Sequence, residues 1–589
     1  MKIREHIEKN PIIFDGAMGT YYGEQFDGKC ELANLTNRER ILDIHKQYID
    51  AGCMAIKTNT FAANQVSLEA DLETVKQVVV QAINIAKEAV SDRDVAIFGD
   101  MGPIPYIGES SLDEYKTIID IFMDHGIENF LFETFGSDEY LAELSKYMKQ
   151  RNENSFIIAQ FAVTPDGFTR MGLSGKNIVK RVLDIAEIDA VGFNCVSGAH
   201  HLYEYIKQFE QIQKYISIMP NAGFPTVRNN RTIFENSSDY FAETLYKTAL
   251  LGVNILGGCC GTTPEYIRKT VEIMQGFKKP KLIEYRKKEV QENVTAVKEN
   301  SLMKKMNAGK KIIAVELDPP VKAEIASFME GAKRLKYNGV DAITIADCPL
   351  ARARVDSSLL ACKLKRELDI TPIPHMTCRD RNINATKALL LGLNIEGVEN
   401  VLVVTGDPVP SPLRDEIKTM FSFNSAILAN HIKELNETVF SSPFGICAAL
   451  NVNAKNFDSQ LKHAQKKIDN GVTMFLTQPI LTDTAIENLK RAKEILPAKI
   501  LGGIIPVVSY RNACFMNNEI SGIDVSQEII DMYEDKTREE ASELAVKISL
   551  NIAAKIGDYV DGYYIITPFN RVDIIEKIIQ EITRLNNII

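Results

Sequence analysis

Cysteine is sparse in this chain, with ten in 589 residues. That is too few for a scaffold built on disulfides, so the thiols read as reduced side chains or metal ligands and imply a cytoplasmic setting. The opening stretch "MKIREHIEKNPIIFDG" has no apolar core and does not read as a secretory leader. No run approaches the ~18 consecutive apolar residues of a membrane-spanning helix. A basic excess is also lacking: the formal net charge is −10, which speaks against a nucleic-acid or anionic-membrane partner. No convincing G-x-G-x-x-G stretch follows a strand. What is present is ordinary for a globular chain, with 45% apolar and 25% charged residues.

The apolar residues are organised. Over residues 1–275 eight short apolar runs alternate with longer amphipathic stretches: Pro11–Asp15, Cys53–Thr58, Val95–Asp100, Asn129–Thr134, Ser155–Phe161, Ala190–Cys195, Ile216–Asn221 and Val253–Gly258. Segments between them, such as "LETVKQVVVQAINIAKEAV", carry apolar residues at helical spacing. Buried strands separated by helices imply a parallel sheet covered on both faces, and eight such units imply a closed barrel. Residues 276–300 break the pattern and read as a linker. The alternation then resumes over 301–589 with eight more runs: Ile312–Asp318, Asp341–Asp347, Thr371–Thr377, Asn400–Asp407, Phe444–Asn451, Met474–Gln478, Leu501–Pro506 and Gly562–Thr567. The expected fold is α/β, with two (β/α)8 TIM-type barrels in tandem.

Active sites of such barrels form at the C-terminal ends of the strands. In the first half two of these ends carry three cysteines: Cys195 in "GFNC", and Cys259 with Cys260 in "GGCC". A lone cysteine is ordinarily a small buried hydrophobe, and Cys30, Cys53, Cys348, Cys362, Cys378, Cys447 and Cys514 are read that way. Adjacent thiols between glycines, with a third at a nearby strand end, instead suit a zinc site with three protein sulfurs and one open position. An incoming thiol there would be held as its thiolate, the form needed for alkyl transfer to sulfur.

The motifs "FDGAMGT" (Phe14–Thr20), "KTNTF" (Lys57–Phe61), "FETF" (Phe132–Phe135), "GFNC" and "GGCCGTTPEYI" occur in order, and this half resembles the homocysteine S-methyltransferase family. The resemblance implies Zn2+ held by Cys195, Cys259 and Cys260. It also implies a homocysteine amino group held by Asp15 and Glu133 with Asn221 nearby. An α-ammonium wants a carboxylate partner, which agrees.

Strand ends of the second half carry Glu316, His375, Asp407 and Gln478. A carboxyl at the end of the first strand can serve as a general acid if burial raises its pKa. The order "ELDPP…PHMTCRDRN…VTGDP…LTQP" resembles methylenetetrahydrofolate reductase over roughly residues 300–589. That resemblance implies FAD, with NAD(P)H as hydride source and folate as substrate. In it Glu316 protonates N10 of 5,10-methylenetetrahydrofolate, Asp407 stabilises positive charge beside flavin and pterin, and Gln478 binds the pterin. His375 and Thr405 help seat FAD, and Lys467 reaches its phosphates. Thr405 stands where the family often has Arg, and "ALNVNAKN" after strand five lacks the Tyr and His expected near the FAD adenosine, with Asn453 as a candidate substitute.

Together the two halves would make a methyl-folate and methylate homocysteine. The methyl donor stays open. "DIHKQY" at Asp43–Tyr48 has the Asp-x-His of a cobalamin motif without its glycine. A sulfonium donor, S-methylmethionine or S-adenosylmethionine, leaves as a neutral thioether and is chemically easier than methyltetrahydrofolate. A first half that only binds zinc or thiols in regulation, and a homo-oligomer, also remain open.

Overall fold

The structure, a computed structural model, describes residues 3–23, 29–105, 110–209, 212–223, 225–228, 231–234, 237–278, 299–407, 424–520 and 522–586. Most of the expected 276–300 linker falls outside them. The chain divides into two compact units, Met1–Lys288 and Glu289–Ile589.

The first unit has strands β1 (Ile12–Ile13), β2 (Ala55–Lys57), β3 (Ala96–Met101), β4 (Asn129–Phe135), β5 (Phe156–Phe161), β6 (Ala190–Gly198) and β7 (Tyr215–Asn221). A hairpin of β8 (Pro225–Arg228) and β9 (Arg231–Phe234) follows, then β10 (Ile255–Leu256). The eight parallel strands run β1-β10-β7-β6-β5-β4-β3-β2. The ring closes where Met54 N donates to Ile13 O at 2.7 Å and Asp15 N to Ala55 O at 3.0 Å. The antiparallel hairpin is an element the periodicity did not reveal.

The second unit is a closed barrel of β11 (Ile312–Leu317), β12 (Ala342–Ile345), β13 (Thr371–Thr377), β14 (Asn400–Val404), β15 (Gly445–Leu450), β16 (Met474–Pro479), β17 (Lys499–Ile504) and β18 (Gly562–Ile566). Among the described residues between β17 and β18 lie three α-helices, Tyr510–Glu519, Gln527–Asp531 and Arg538–Ile556.

The helices form for local reasons. Leu72–Val90 starts at Asp71, whose carboxylate accepts from Thr74 N at 2.8 Å, and it buries Val75, Val78, Val79, Ala82, Ile83 and Ala86 on one face. Each barrel is floored by a short helix. Ile3 and Ile7 of Ile3–Ile7 join Ile12, Phe14, Phe98, Phe156 and Ile158 inside the first, and Leu302 and Met306 of Ser301–Asn307 join Ile312, Ala314, Ile373 and Leu402 inside the second.

Candidate active sites

Side chains of a strand alternate between its two faces. Interior residues such as Ala55, Phe98, Leu131, Ala190 and Met219 therefore fix where the next polar residues of the same parity point. Two residues further on come Lys57, Asp100 and Glu133, on β2, β3 and β4. Asn221 lies two beyond Met219 on β7, and Asn194 four beyond Ala190 on β6. All five are buried. The first barrel thus ends in a polar layer over an apolar interior.

Three sulfurs lie at the rim of this layer. The ligand atoms of Cys195, Cys259 and Cys260 are all within 4.8 Å of one another, and Cys195 Sγ is 3.6 Å from Cys260 Sγ. Cys195 is aimed by a break in the ladder: pairing of β6 with β7 shifts between Asn194 and Gly198, and Cys195 and Val196 take φ of 56° and 57°. Cys259 is held through its backbone, since Cys259 N donates to Pro220 O at 2.8 Å and Thr262 Oγ1 donates to Cys259 O at 2.7 Å. A Cβ on Gly258 would sit 2.3 Å from Thr262 Oγ1, so the turn into the paired cysteines needs glycine. The thiols of Cys259 and Cys260 donate to Cys195 and hold it far below the usual thiol range, and Cys259 and Cys260 are pushed up in turn.

Lys57 Nζ pairs with Glu133 Oε1 at 3.0 Å, with 8% and 7% of the two side chains exposed. Asp15 Oδ2 accepts from Lys57 N at 3.0 Å. Burial pushes Asp15 up to about 7 against the pull of Lys57, and burial with the charge of Glu133 raises Asp100 well above the ordinary carboxyl value. Burial opposes the charge on Lys57, but Glu133 and Asp15 outweigh it and keep the ammonium protonated. Asn194 joins the two clusters, its Nδ2 lying 3.2 Å from Glu133 Oε1 and 3.7 Å from Cys259 Sγ. Three acceptor oxygens here, Asp15 Oδ1, Asp100 Oδ1 and Asn221 Oδ1, are buried without a donor. A site in that state takes a ligand rich in N–H. The structure therefore brings together all the residues expected in this half and adds Lys57, Asp100 and Asn194. Lys57 lies in "KTNTF" and Asn194 in "GFNC", and strand parity is the signal that marks all three.

In the second barrel the interior residues Ala314, Ile373 and Leu476 fix the parity of Glu316, His375 and Gln478. Glu316 accepts a hydrogen bond from Tyr564 OH, and its Oε2 is 3.6 Å from His375 Nε2. Burial raises Glu316 to about 7, against the hydrogen bond from Tyr564. Burial lowers His375 to about 4, so it is a neutral imidazole, and its Nε2 is buried without a partner. Asp407 and Thr405 are exposed on the loop after β14. Asp407 Oδ2 accepts from Leu350 N at 2.8 Å, and Arg379 Nη1 donates to Asp407 O at 3.0 Å. The Thr405 hydroxyl is 3.4 Å from Ser425 Oγ. Lys467 donates to Ala449 O at 3.0 Å, and burial lowers its pKa. Asn453 gives both amide hydrogens to Pro479 O and Gly522 O, each at 2.9 Å, and so staples loops. Tyr564 and Arg379 were not singled out in the sequence, nor was Arg381, which bridges Asp347 and Asp356 at 2.8 and 2.7 Å.

All ten cysteines are free, although Cys348, Cys362 and Cys514 are only partly buried. His45 of the Asp-x-His stretch is buried in helix Arg38–Asp50 and pushed down to about 4 by that burial. Among the described residues no helix is long and apolar enough to cross a membrane.

Comparison with known proteins divides the chain at the same place. Residues 12–274 match the family Homocysteine S-methyltransferase, and residues 301–583 match Methylenetetrahydrofolate reductase. A methionine synthase of Mycobacterium tuberculosis is 26% identical over 309 residues, covering 46% of this chain and 25% of that protein. One from Mycobacterium leprae is 26% identical over 301 residues, covering 45% and 24%. The chain therefore spans about a quarter of the length of these relatives. The metallated form of the homocysteine methyltransferase MmuM from Escherichia coli is 16% identical with a TM-score of 0.37, covering 46% of this chain and 100% of that one.

Proposed function

We propose, from the premise that the chain joins a homocysteine S-methyltransferase domain to a methylenetetrahydrofolate reductase domain, that it makes methionine from homocysteine in one barrel and 5-methyltetrahydrofolate in the other. The observation that carries the first half is the set of three converging sulfurs beside buried oxygens that lack donors. Cys195, Cys259 and Cys260 would hold Zn2+. Four bonds of ~2.3 Å in a tetrahedron put sulfurs about 3.8 Å apart, and the 3.6 Å between Cys195 and Cys260 fits. Zinc held there would lower the pKa of the homocysteine thiol and so favour its thiolate. Asp15 Oδ1 and Asn221 Oδ1 accept from the substrate ammonium. Glu133 shares that charge with Lys57, and Asn194 orients both Glu133 and Cys259.

In the reductase half, His375, Thr405 and Lys467 would hold FAD, and the unpartnered His375 Nε2 fits a polar ring edge at this mouth. FAD held there would supply the hydride chemistry that links NAD(P)H to the folate. Glu316 holds a proton near neutral pH and gives it to N10, with Tyr564 OH steadying the carboxylate that remains. Gln478 and Asp407 orient the pterin. The thiols suit the reducing cytoplasm.

The test supplies purified chain with homocysteine and, in turn, S-methylmethionine, S-adenosylmethionine and methyltetrahydrofolate, and measures methionine. A sulfonium donor is expected to work best, because a neutral thioether leaves more readily than an amine. A yellow preparation that oxidises NAD(P)H with methylenetetrahydrofolate tests the second half. Zinc-loaded protein that forms no methionine with any of the three donors overturns the first.

A further inference from the structure

Two strands of the first barrel break their pairing at the mouth. On β4 the register with β5 shifts between Phe132 and Phe135, so Glu133 and Thr134 stand where β5 offers Gln160 alone. On β6 the register with β7 shifts between Asn194 and Gly198, and Cys195 lies inside that break. Thr134 takes φ 63°, alongside 56° and 57° for Cys195 and Val196. A β-branched side chain such as that of Thr134 is strained in the left-handed region. Each break adjoins a group of the site: Glu133 directly precedes Thr134, and Cys195 directly follows Asn194.

The two breaks are not neighbours, because β5 lies between β4 and β6. One side chain nevertheless joins them. Asn194 is fully buried. Its Oδ1 accepts from Thr134 N at 3.0 Å, and its Nδ2 donates to Thr134 Oγ1 at 2.7 Å. The amide thus grips both the main chain and the hydroxyl of the strained residue. The same Nδ2 is 3.2 Å from Glu133 Oε1 and 3.7 Å from Cys259 Sγ. Ordinary ladder pairing would leave neither strand strained, so the distortion belongs with the groups it aims.

We propose that Thr134 and Asn194 are positioning residues that clasp the two breaks across β5, so that the sulfur cluster and the carboxylate of Glu133 are set as one unit and a ligand on either favours a ligand on the other. This rests on the zinc and homocysteine reading. A planar amide cannot turn its donors and its acceptor independently. A shift of Cys195 or Cys259 is therefore felt at Thr134 and, one residue back, at Glu133. Whichever ligand binds first fixes the clasp, and the second finds its own groups already aimed. The effect is reciprocal by linkage: the amino acid tightens the hold on the ion by the factor by which the ion tightens the hold on the amino acid.

The experiment challenges full-length, zinc-loaded protein with a chromogenic chelator, with and without α-aminobutyrate. That probe keeps the amino-acid end of homocysteine and has no sulfur to touch the ion. It should tighten zinc retention about fivefold, the low end of ordinary coupling between sites. Thr134→Val keeps the side-chain shape without the hydroxyl. Thr134→Gly also lacks it and accepts the left-handed backbone, so it folds even where valine does not. In both variants zinc should still bind but the aminobutyrate effect should vanish, and Thr134→Ser should restore it. Homocysteine binding, followed by calorimetry, should weaken about tenfold in the two variants, the worth of one hydrogen bond. Binding of γ-mercaptobutyrate, the same chain without the ammonium, should not change, whereas a merely structural defect would weaken both. An undiminished aminobutyrate effect in Thr134→Gly overturns the inference, as does an equal loss of both thiols. So does the absence of that effect in unaltered protein that binds homocysteine. If unaltered zinc-loaded protein binds no homocysteine, the methyltransferase reading itself falls and the clasp with it.

Discussion

Lys57 is one ammonium among three buried carboxyl groups, Asp15, Asp100 and Glu133, and it pairs directly with Glu133. Lys57→Met leaves those carboxyls unpaired. The first unit should lose roughly 3–5 kcal/mol, the usual cost of removing one partner of a buried pair, measured by denaturant unfolding. Glu316 gives a pH prediction. Burial raises it to about 7, so the protonated acid is present below that value and lost above it. Folate reduction should therefore fall as pH rises through about 7. Glu316→Gln should lose roughly 10²-fold or more in that step and keep NAD(P)H–quinone turnover. The stability sign follows: the folded protein holds this proton more tightly than the unfolded chain, so stability is fullest below the ordinary value of 4.5 and falls as pH rises through about 7. Glu316→Gln should flatten that slope. The residues legible in the sequence, Cys195, Cys259, Cys260, Asp15 and Glu316, are those whose chemistry shows in their neighbours along the chain. Lys57 and Tyr564 were not legible, because a buried lysine or tyrosine acquires its role only from groups on other strands.

At the scale of elements, the sixteen barrel strands were readable because short β-branched runs between amphipathic helices admit few other arrangements. Their ends were less so. Val253–Gly258 read as one strand, but only Ile255–Leu256 pairs as such. There Gly257 and Gly258 let the chain pass close to Phe14 and Thr262. The kink at Cys195 has no sequence signature, since neither it nor Val196 is glycine. Close strand packing gives a further prediction. A Cβ at Gly192 would lie 1.7 Å from Ser217 O, so Gly192→Ala must force β6 from β7. The variant should lose both stability and zinc, measured by thermal unfolding and metal analysis.

At the scale of the whole molecule, the two units have separate interiors and separate polar rims. Cys259→Ser should therefore abolish zinc retention and methionine formation while leaving the rate of NAD(P)H-dependent folate reduction within twofold. Assays of both reactions on one preparation check it. An equal fall in both would mean that the halves depend on one another.

The first barrel has an uneven seam. Strands β1 and β10 are each two residues long, against nine in β6. The donors of the sulfur cluster come from both kinds of stave: Cys195 from the long one, Cys259 and Cys260 from just beyond the short one. An ion gripping all three would act as a hoop where the cask has fewest nails. Stripping it should let deuterium into the amides of residues 12–14 and 255–257 before the rest of the ring, so that metal scarcity would be felt first as a loosened joint.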